Sequence, residues 1–401
     1  MKDPTKGGLF RLEGKSYLKP FLLISSLFFL WGFAHSILEV LNPHFQEAFQ
    51  ISKTKAAFVQ VAVYGGYFLM ALPVGFIIKR WGYRTGVLLG LMLYGLGALL
   101  FIPGARIGSF WFFVFSLFVI GCGLTCLETS ANPYTTRLGD PAKAEARINL
   151  SQSLNGVGWI VGPWVGGMLL FTGRSIAVPY AIVGVVVLLV ALLFSRAKLP
   201  QVPFVSPSQP QPDEKPKGTL LNRGFLLGLA SLLLYVAAQT GVNSFFINYM
   251  KEAASLSSEQ ASRWLAFGGM GLFAVGRMAG SGVMSRLKPS LVLLSAALLA
   301  ALATLSVVLW SGMGSVVGFF VVYASESIMF PTIFALALRH SEGQTELASS
   351  LLVMTIVGGA IAPLLMGMIA DRTGSTPLAF LVPLFCYAFI AAYCLSELKP
   401  R

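Results

Sequence analysis

Apolar positions in this chain run in long unbroken blocks, and polar positions gather in short clusters between them. A helix that crosses a bilayer needs about 20 largely apolar residues. Twelve blocks meet that requirement: 20–43, 56–79, 84–105, 109–137, 145–172, 176–196, 224–250, 261–286, 289–311, 314–339, 346–370 and 376–396. They are numbered here as spans 1 to 12. Most junctions are a few residues long, so consecutive spans run antiparallel. The exception is 198–222, whose PQVPFVSPSQPQPDEKPKG is a proline-rich polar linker that no core would bury. The pattern predicts a polar head (1–19), a six-helix bundle (20–197), the linker (198–222), a second six-helix bundle (223–397) and a short tail (398–401).

Composition agrees with the blocks. The chain is 56% hydrophobic and 11% charged, where a soluble domain carries about 25% charge. The prediction is an all-α membrane protein with twelve transmembrane helices. Its net charge of +13 would suit a nucleic-acid binder, but the basic residues lie between the apolar blocks and form no single patch. With both termini and the linker on one side, that side collects most of the 29 Lys and Arg residues, including Lys79, Arg80, Arg84, Arg137, Lys143, Arg147, Arg286, Lys288 and Arg339. By the positive-inside rule that side is cytoplasmic. Phe21 to Val40 is long enough to span, so no cleavable leader is expected. Cys122, Cys126, Cys386 and Cys394 all fall inside apolar blocks, without metal-ligand spacing or a disulfide framework.

The two halves repeat. In span 4, Glu128 precedes Pro133 by five residues (ETSANP), and in span 10 Glu326 precedes Pro331 by five (ESIMFP). VGPWVGGML with Pro163 follows the first motif, and IAPLLMGMI with Pro363 follows the second at nearly the same distance. Duplicated six-helix halves around a midplane site are the build of major facilitator transporters, with two pseudo-symmetric bundles.

Few ionisable groups lie inside the spans: His35, Glu39, Glu128, Arg277 and Glu326. An intramembrane charge is costly enough to mark a functional site by default. His35 and Glu39 are four apart and share one face of span 1, which Ser36, Asn42 and Pro43 continue. The bland reading of Glu39 is that it reaches interfacial water; the sharper one is a polar cavity. Glu128 lies deeper with no cation within a turn, so it is the candidate proton-coupling acid, with Glu39 second. A carboxyl whose surroundings alternate between apolar and wet can load and release a proton.

Amides and aromatics supply the rest. Span 2 carries Gln60, Tyr64 and Tyr67; span 4, Asn132; span 5, Asn149, Gln152, Ser153 and Asn155; span 7, Gln239, Asn243 and Phe246. Amides donate and accept, which suits a polyhydroxylated ligand, and aromatic faces stack on the C–H face of a pyranose. Each amide can equally join helices. Arg277 and Glu326 read as a gating or structural charge pair. No metal cluster, cofactor loop or nucleophile–base pair stands out, so the chain is not expected to be an enzyme.

Several stretches together resemble the fucose permease and glucose/galactose transporter family of the major facilitator superfamily. They are LFFLWGFAHSILEVLNPHFQEAF in span 1, YGGYFLMALPVGFIIKRWGYRTGVLLGLMLYGLGALLF in spans 2–3, CLETSANPY in span 4, QTGVNSFFINY in span 7 and IMFPTIFALAL in span 10. The resemblance implies a sugar:proton symporter, in which a span-1 acid and a span-4 glutamate serve substrate binding and protonation. By position these are Glu39 and Glu128, with Gln152 a further cavity residue. There are departures. The family tends to show Asn-Asn-Leu-Asn-Asp where this chain has His35, Ser36, Ile37, Leu38 and Glu39. In GFIIKRWGYR (75–84), Lys79 stands where major facilitators usually carry an aspartate. These changes leave the sugar and the coupling ion, proton or sodium, open.

The sequence therefore predicts import of a neutral monosaccharide such as fucose, glucose or galactose with a proton, across a bacterial inner membrane, by a chain complete as a monomer. Its expected substrate-binding set is His35, Glu39, Asn42, Gln60, Tyr64, Glu128, Asn132, Gln152, Asn155, Gln239, Asn243 and Phe246. The alternatives are a sodium-coupled symporter and a multidrug or sugar exporter of the same fold.

Overall fold

The computed structural model describes residues 9–12, 15–139, 144–171, 175–197, 220–284, 288–310, 312–341 and 345–398. The linker beyond Ala197, most of the head, and Lys143 and Arg286 therefore lie outside the described residues. Everything described is helical except connecting turns and one small antiparallel ribbon in the head, Arg11–Leu12 against Lys15–Ser16. That ribbon was not expected from the polar composition there.

Nine stretches among the described residues are long and apolar enough to cross a membrane. One of them, Lys53–Ile107, holds both span 2 and span 3. The helices Ala144–Leu170 and Gly271–Met284 add spans 5 and 8. The protein is thus an all-α membrane protein whose helices match the twelve apolar blocks. Large apolar side chains stand outward along the helices, Phe76 and Met278 being 73% and 79% exposed. Hydrocarbon is the solvent that such a surface fits.

Several blocks are less regular than hydropathy alone implies. Spans 2 and 3 follow one another through Gly82, whose φ of 81° and ψ of 169° turn the chain where a residue with a Cβ would be strained. Span 8 contains a π-helical segment, Trp264–Met270. Span 11 contains a 3₁₀ turn, Thr355–Val357. Span 10 is broken into Met313–Glu326 and Met329–Leu338. Pro331 explains the break: it has no N–H for the carbonyl four residues earlier, Ser327, and its ring crowds that oxygen. Arg277 Nε donates to the freed Ser327 carbonyl at 3.3 Å, and the Tyr235 hydroxyl donates to the Glu326 carbonyl at 2.9 Å. Freed backbone groups at membrane depth require such partners. In span 4, Pro133 sits inside a helix that continues from Phe110 to Thr136.

Two compact units are present. One comprises residues 1–38 and 65–206, the other 39–64 and 207–401.

In the first unit, spans 1 and 5 cross at backbone contact. A Cβ on Gly158 would lie 2.4 Å from the Phe29 carbonyl oxygen, and one on Gly32 would lie 2.3 Å from that of Asn155. Ser36 Oγ donates to the Gly158 carbonyl at 3.1 Å, and Asn155 Nδ2 donates to that of Phe28 at 3.1 Å. Small residues and short polar side chains are the usual means of joining helices in lipid. Arg147 is fully buried and donates from Nε to the Thr135 carbonyl (3.3 Å) and from Nη1 to the Leu9 carbonyl (3.1 Å).

In the second unit, the short helix Lys53–Ala56 has two N-terminal caps. Ser52 accepts from Lys55 N, and Asp371 of span 11 accepts from the backbone N–H groups of Lys53 (3.0 Å) and Thr54 (2.8 Å). Lys53 Nζ lies 3.2 Å from Glu252 and also donates to Thr376.

Candidate functional site

The predicted site residues fall into two buried groups, one in each unit.

The first group is built on Tyr67. Span 1 presents Trp31 and His35 on one face, four residues apart. Trp31 Nε1 donates to the Tyr67 hydroxyl at 2.8 Å, and His35 Nε2 lies 2.9 Å from the same oxygen. The Glu128 carboxyl faces the same hydroxyl. Trp159 of span 5 stacks on the His35 ring with centroids 6.0 Å apart and planes 20° from parallel. Glu128 sits with Leu27, Phe28, Trp31, Leu127, Ala131 and Asn132 around a gap too narrow for a water molecule. Asn132 Oδ1 is buried there without a hydrogen-bond partner among the described residues.

A tyrosine hydroxyl has one proton and two acceptor lone pairs, and the Trp31 indole occupies one of the latter. When Glu128 is ionised, it takes the Tyr67 proton as a hydrogen bond, and His35 must donate its Nε2–H to the tyrosine oxygen. When Glu128 is protonated, its own O–H can point to Tyr67, whose hydroxyl then turns to an unprotonated His35 Nε2. The arrangement can pass the protonation state of Glu128 to the histidine.

The second group surrounds Glu39, whose side chain is 2% exposed. Its Oε2 accepts from Ser244 Oγ at 2.8 Å and from Gln60 Nε2 at 3.2 Å, and Gln60 Nε2 lies 3.0 Å from Ser244 Oγ. Gln60 Oε1 and Asn243 Oδ1 are buried without partners among the described residues. The Tyr64 hydroxyl pairs with Thr240 at 3.2 Å. Asn42 accepts from Gln46 at 2.9 Å, and Gln46 in turn accepts from Asn248 at 2.8 Å.

Other expected site residues sit differently. Asn155 spends its amide on the Phe28 carbonyl, so it joins helices. Phe246 is fully buried edge-on to Phe319 and Tyr323, a packing position. Gln152 and Gln239 are half-buried. Arg277 and Glu326 form no ion pair among the described residues. The guanidinium lies 4.8 Å from the Phe273 ring centroid and holds the Ser327 carbonyl, while Glu326 takes the Tyr387 hydroxyl at 2.5 Å.

Sequence reasoning named Tyr67 among the span-2 positions but left it out of the expected binding set, and it did not single out Trp31, Trp159 or Ser244. The signal for Trp31 and Trp159 was helical register: Trp31 lies one turn before His35, and Trp159 lies one turn past Asn155. Aromatic residues are common at membrane interfaces, which hides two that are half-buried in the bundle.

An all-α membrane fold whose helices match twelve apolar blocks, with carboxyls and amides placed inside the spans, is the build of a membrane transporter. The sequence profile of the Major Facilitator Superfamily matches residues 24–355, and the chain belongs to that family. It is 34% identical to the L-fucose-proton symporter of Escherichia coli, over 94% of this chain and 93% of the relative. It is also 34% identical to the glucose/galactose transporter of Brucella abortus, over 96% of this chain and 95% of the relative. Among solved structures, the major facilitator transporter FucP in its outward conformation matches with a TM-score of 0.68 and 34% identity. That match covers 96% of this chain and all of FucP.

Proposed function

We propose that this protein imports a neutral monosaccharide together with a proton, by alternating access, across a bacterial inner membrane. The observation that carries the reading is the Tyr67 junction, where an imidazole and an indole share one hydroxyl that the Glu128 carboxyl faces. A carboxyl so placed has a means of signalling its protonation to neighbouring groups, which a uniporter does not need. The relatives named for fucose-proton symport and for glucose and galactose transport support a sugar as the cargo.

In this reading Glu128 carries the coupling proton. Tyr67, His35 and Asn132 orient the sugar hydroxyls, and Trp31 or Trp159 faces the ring. Glu39, Gln60, Asn243 and Ser244 form a second polar group that contributes to binding or to a later proton step, with Asn42, Tyr64, Gln152 and Gln239 as supporting polar positions. The working unit is one chain of two six-helix bundles, 20–197 and 223–397, joined by a cytoplasmic linker, with both termini cytoplasmic.

The test is proton movement in proteoliposomes challenged with L-fucose, D-glucose, D-galactose and D-mannose, with and without sodium. Sugar-dependent alkalinisation outside the vesicles, lost in Glu128→Gln, supports the reading and names the sugar. Uptake that requires sodium and moves no protons replaces it with sodium coupling. Sugar-insensitive efflux of a dye replaces it with export.

A further inference from the structure

The break in span 10 holds a third buried carboxyl that the transport reading does not use. Glu326 is 0% exposed. Its Oε1 accepts from the Tyr387 hydroxyl of span 12 at 2.5 Å, and its Oε2 is buried without a partner among the described residues. Its backbone carbonyl is already taken by Tyr235 of span 7. Arg277 of span 8, at the same helix break, is committed to the Ser327 carbonyl and to the Phe273 ring. One turn earlier, the Tyr323 hydroxyl is also buried without a partner among the described residues, within electrostatic reach of both Glu326 and Glu39.

The titratable groups facing this carboxyl are therefore Tyr235, Tyr323 and Tyr387, with Arg277 held away by the broken backbone. An ionised Glu326 would be a buried charge with one hydrogen bond and no counter-ion among the described residues, an arrangement that a low-dielectric interior disfavours. A permanently apolar environment would favour an amide or a hydrocarbon at this position. What the geometry suits is a carboxyl that is neutral while enclosed and that can lose its proton when water or Tyr323 reaches Oε2.

We propose that Glu326 is a second proton-binding site, separate from Glu128. One proton adds to Oε2 of the carboxylate, and Tyr387 continues to donate to Oε1. No other bond changes. Pro331 makes the site by opening the helix beside the carboxyl. The role in transport rests on the proposed symport, but proton binding at Glu326 does not.

Infrared spectra of the purified protein test it, recorded from mildly acidic to mildly alkaline pH and with L-fucose or D-galactose added. The expected result is a carboxylic-acid C=O band that fades as pH rises, is absent in Glu326→Gln and persists in Glu128→Gln. Tyr387→Phe should displace the band, because its hydroxyl donates to the same carboxyl; that variant remains informative if Glu326→Gln folds poorly. The idea is overturned if Glu326→Gln leaves the spectrum unchanged, or if the band is present but insensitive to pH and sugar, as a fixed structural acid would be. Loss of sugar-driven proton uptake only in Glu128→Gln, with the Glu326 band unresponsive, would sink this site and leave the symport reading standing. A responsive band in a protein that moves no protons with sugar would do the reverse.

Discussion

Tyr67 stands between His35 and Glu128: its hydroxyl lies 2.9 Å from His35 Nε2 and faces the Glu128 carboxyl, while the Trp31 indole donates to the same oxygen at 2.8 Å. Removing that oxygen takes the acceptor from the buried end of the Trp31 indole and a partner from His35. A buried donor or acceptor left without a partner costs about 1–3 kcal/mol. Tyr67→Phe should therefore lower the melting temperature of the detergent-solubilised protein and abolish sugar-driven proton uptake. Wild-type proton uptake in a well-folded Tyr67→Phe protein would show that Glu128 signals by another route.

Glu128→Gln keeps the shape and the hydrogen-bonding capacity of the side chain but cannot ionise. It should abolish accumulation of sugar against a gradient while leaving exchange of labelled for unlabelled sugar close to the unaltered rate. Counterflow and concentrative uptake assays in the same vesicles separate the two.

His35→Asn replaces the imidazole with the amide that the related transporters tend to carry. An amide can still meet Tyr67, yet it cannot exchange a proton between its two ends. Sugar binding should be retained with altered preference among fucose, glucose and galactose, and the pH dependence of uptake should change shape. An unaltered pH profile would confine His35 to substrate contact.

The crossing of spans 1 and 5 makes a sharp contrast between two glycines two residues apart. A Cβ at Gly158 would sit 2.4 Å from a backbone oxygen, whereas one at Gly156 meets nothing within 4 Å. Gly158→Ala should reduce the yield of folded protein severely. Gly156→Ala should be neutral or stabilising, by up to about 1 kcal/mol on helix propensity. Fluorescence-monitored gel filtration and thermal melting of both variants decide it.

Asp371 and Lys53 contribute unequally to the same corner of the second unit. Asp371 accepts two backbone N–H groups at a helix start, an interaction of about 0.5–2 kcal/mol. Lys53 and Glu252 form a partly exposed ion pair, an interaction of about 0–1 kcal/mol that salt weakens. Asp371→Ala should lower the melting temperature more than Lys53→Ala, and high salt should erase only the effect of the lysine.

The fold was legible because hydrocarbon imposes one requirement on every spanning segment, and each apolar block meets it on length alone. What hydropathy could not show was irregularity inside a block. Pro331 and Pro133 occupy matching places in the repeat, but only the span with Pro331 opens, because Arg277 and Tyr235 from other spans take up the carbonyls it frees. A local motif does not reveal distant partners. The same limit applied to the polar residues. Glu39 and Glu128 stood out as unpaired carboxylates in apolar blocks. Tyr67 looked like one of many aromatic residues, and its importance comes from three side chains that converge on it from spans 1 and 4. Arg277 and Glu326 looked like a natural pair by charge, but each is engaged by other groups at the broken helix.

Arg147 was counted among loop cations that merely face the cytoplasm, yet it is enclosed and reaches the Leu9 carbonyl. The head is therefore stitched into the first unit through a guanidinium that sits at the start of span 5. An affinity tag or fluorescent fusion placed close ahead of Leu9 would pull on that stitch, and a trimmed N-terminus would leave a buried cation short of an acceptor. Expression variants that shorten or extend the N-terminal segment are in effect core mutants, and differences in their behaviour should be interpreted as such.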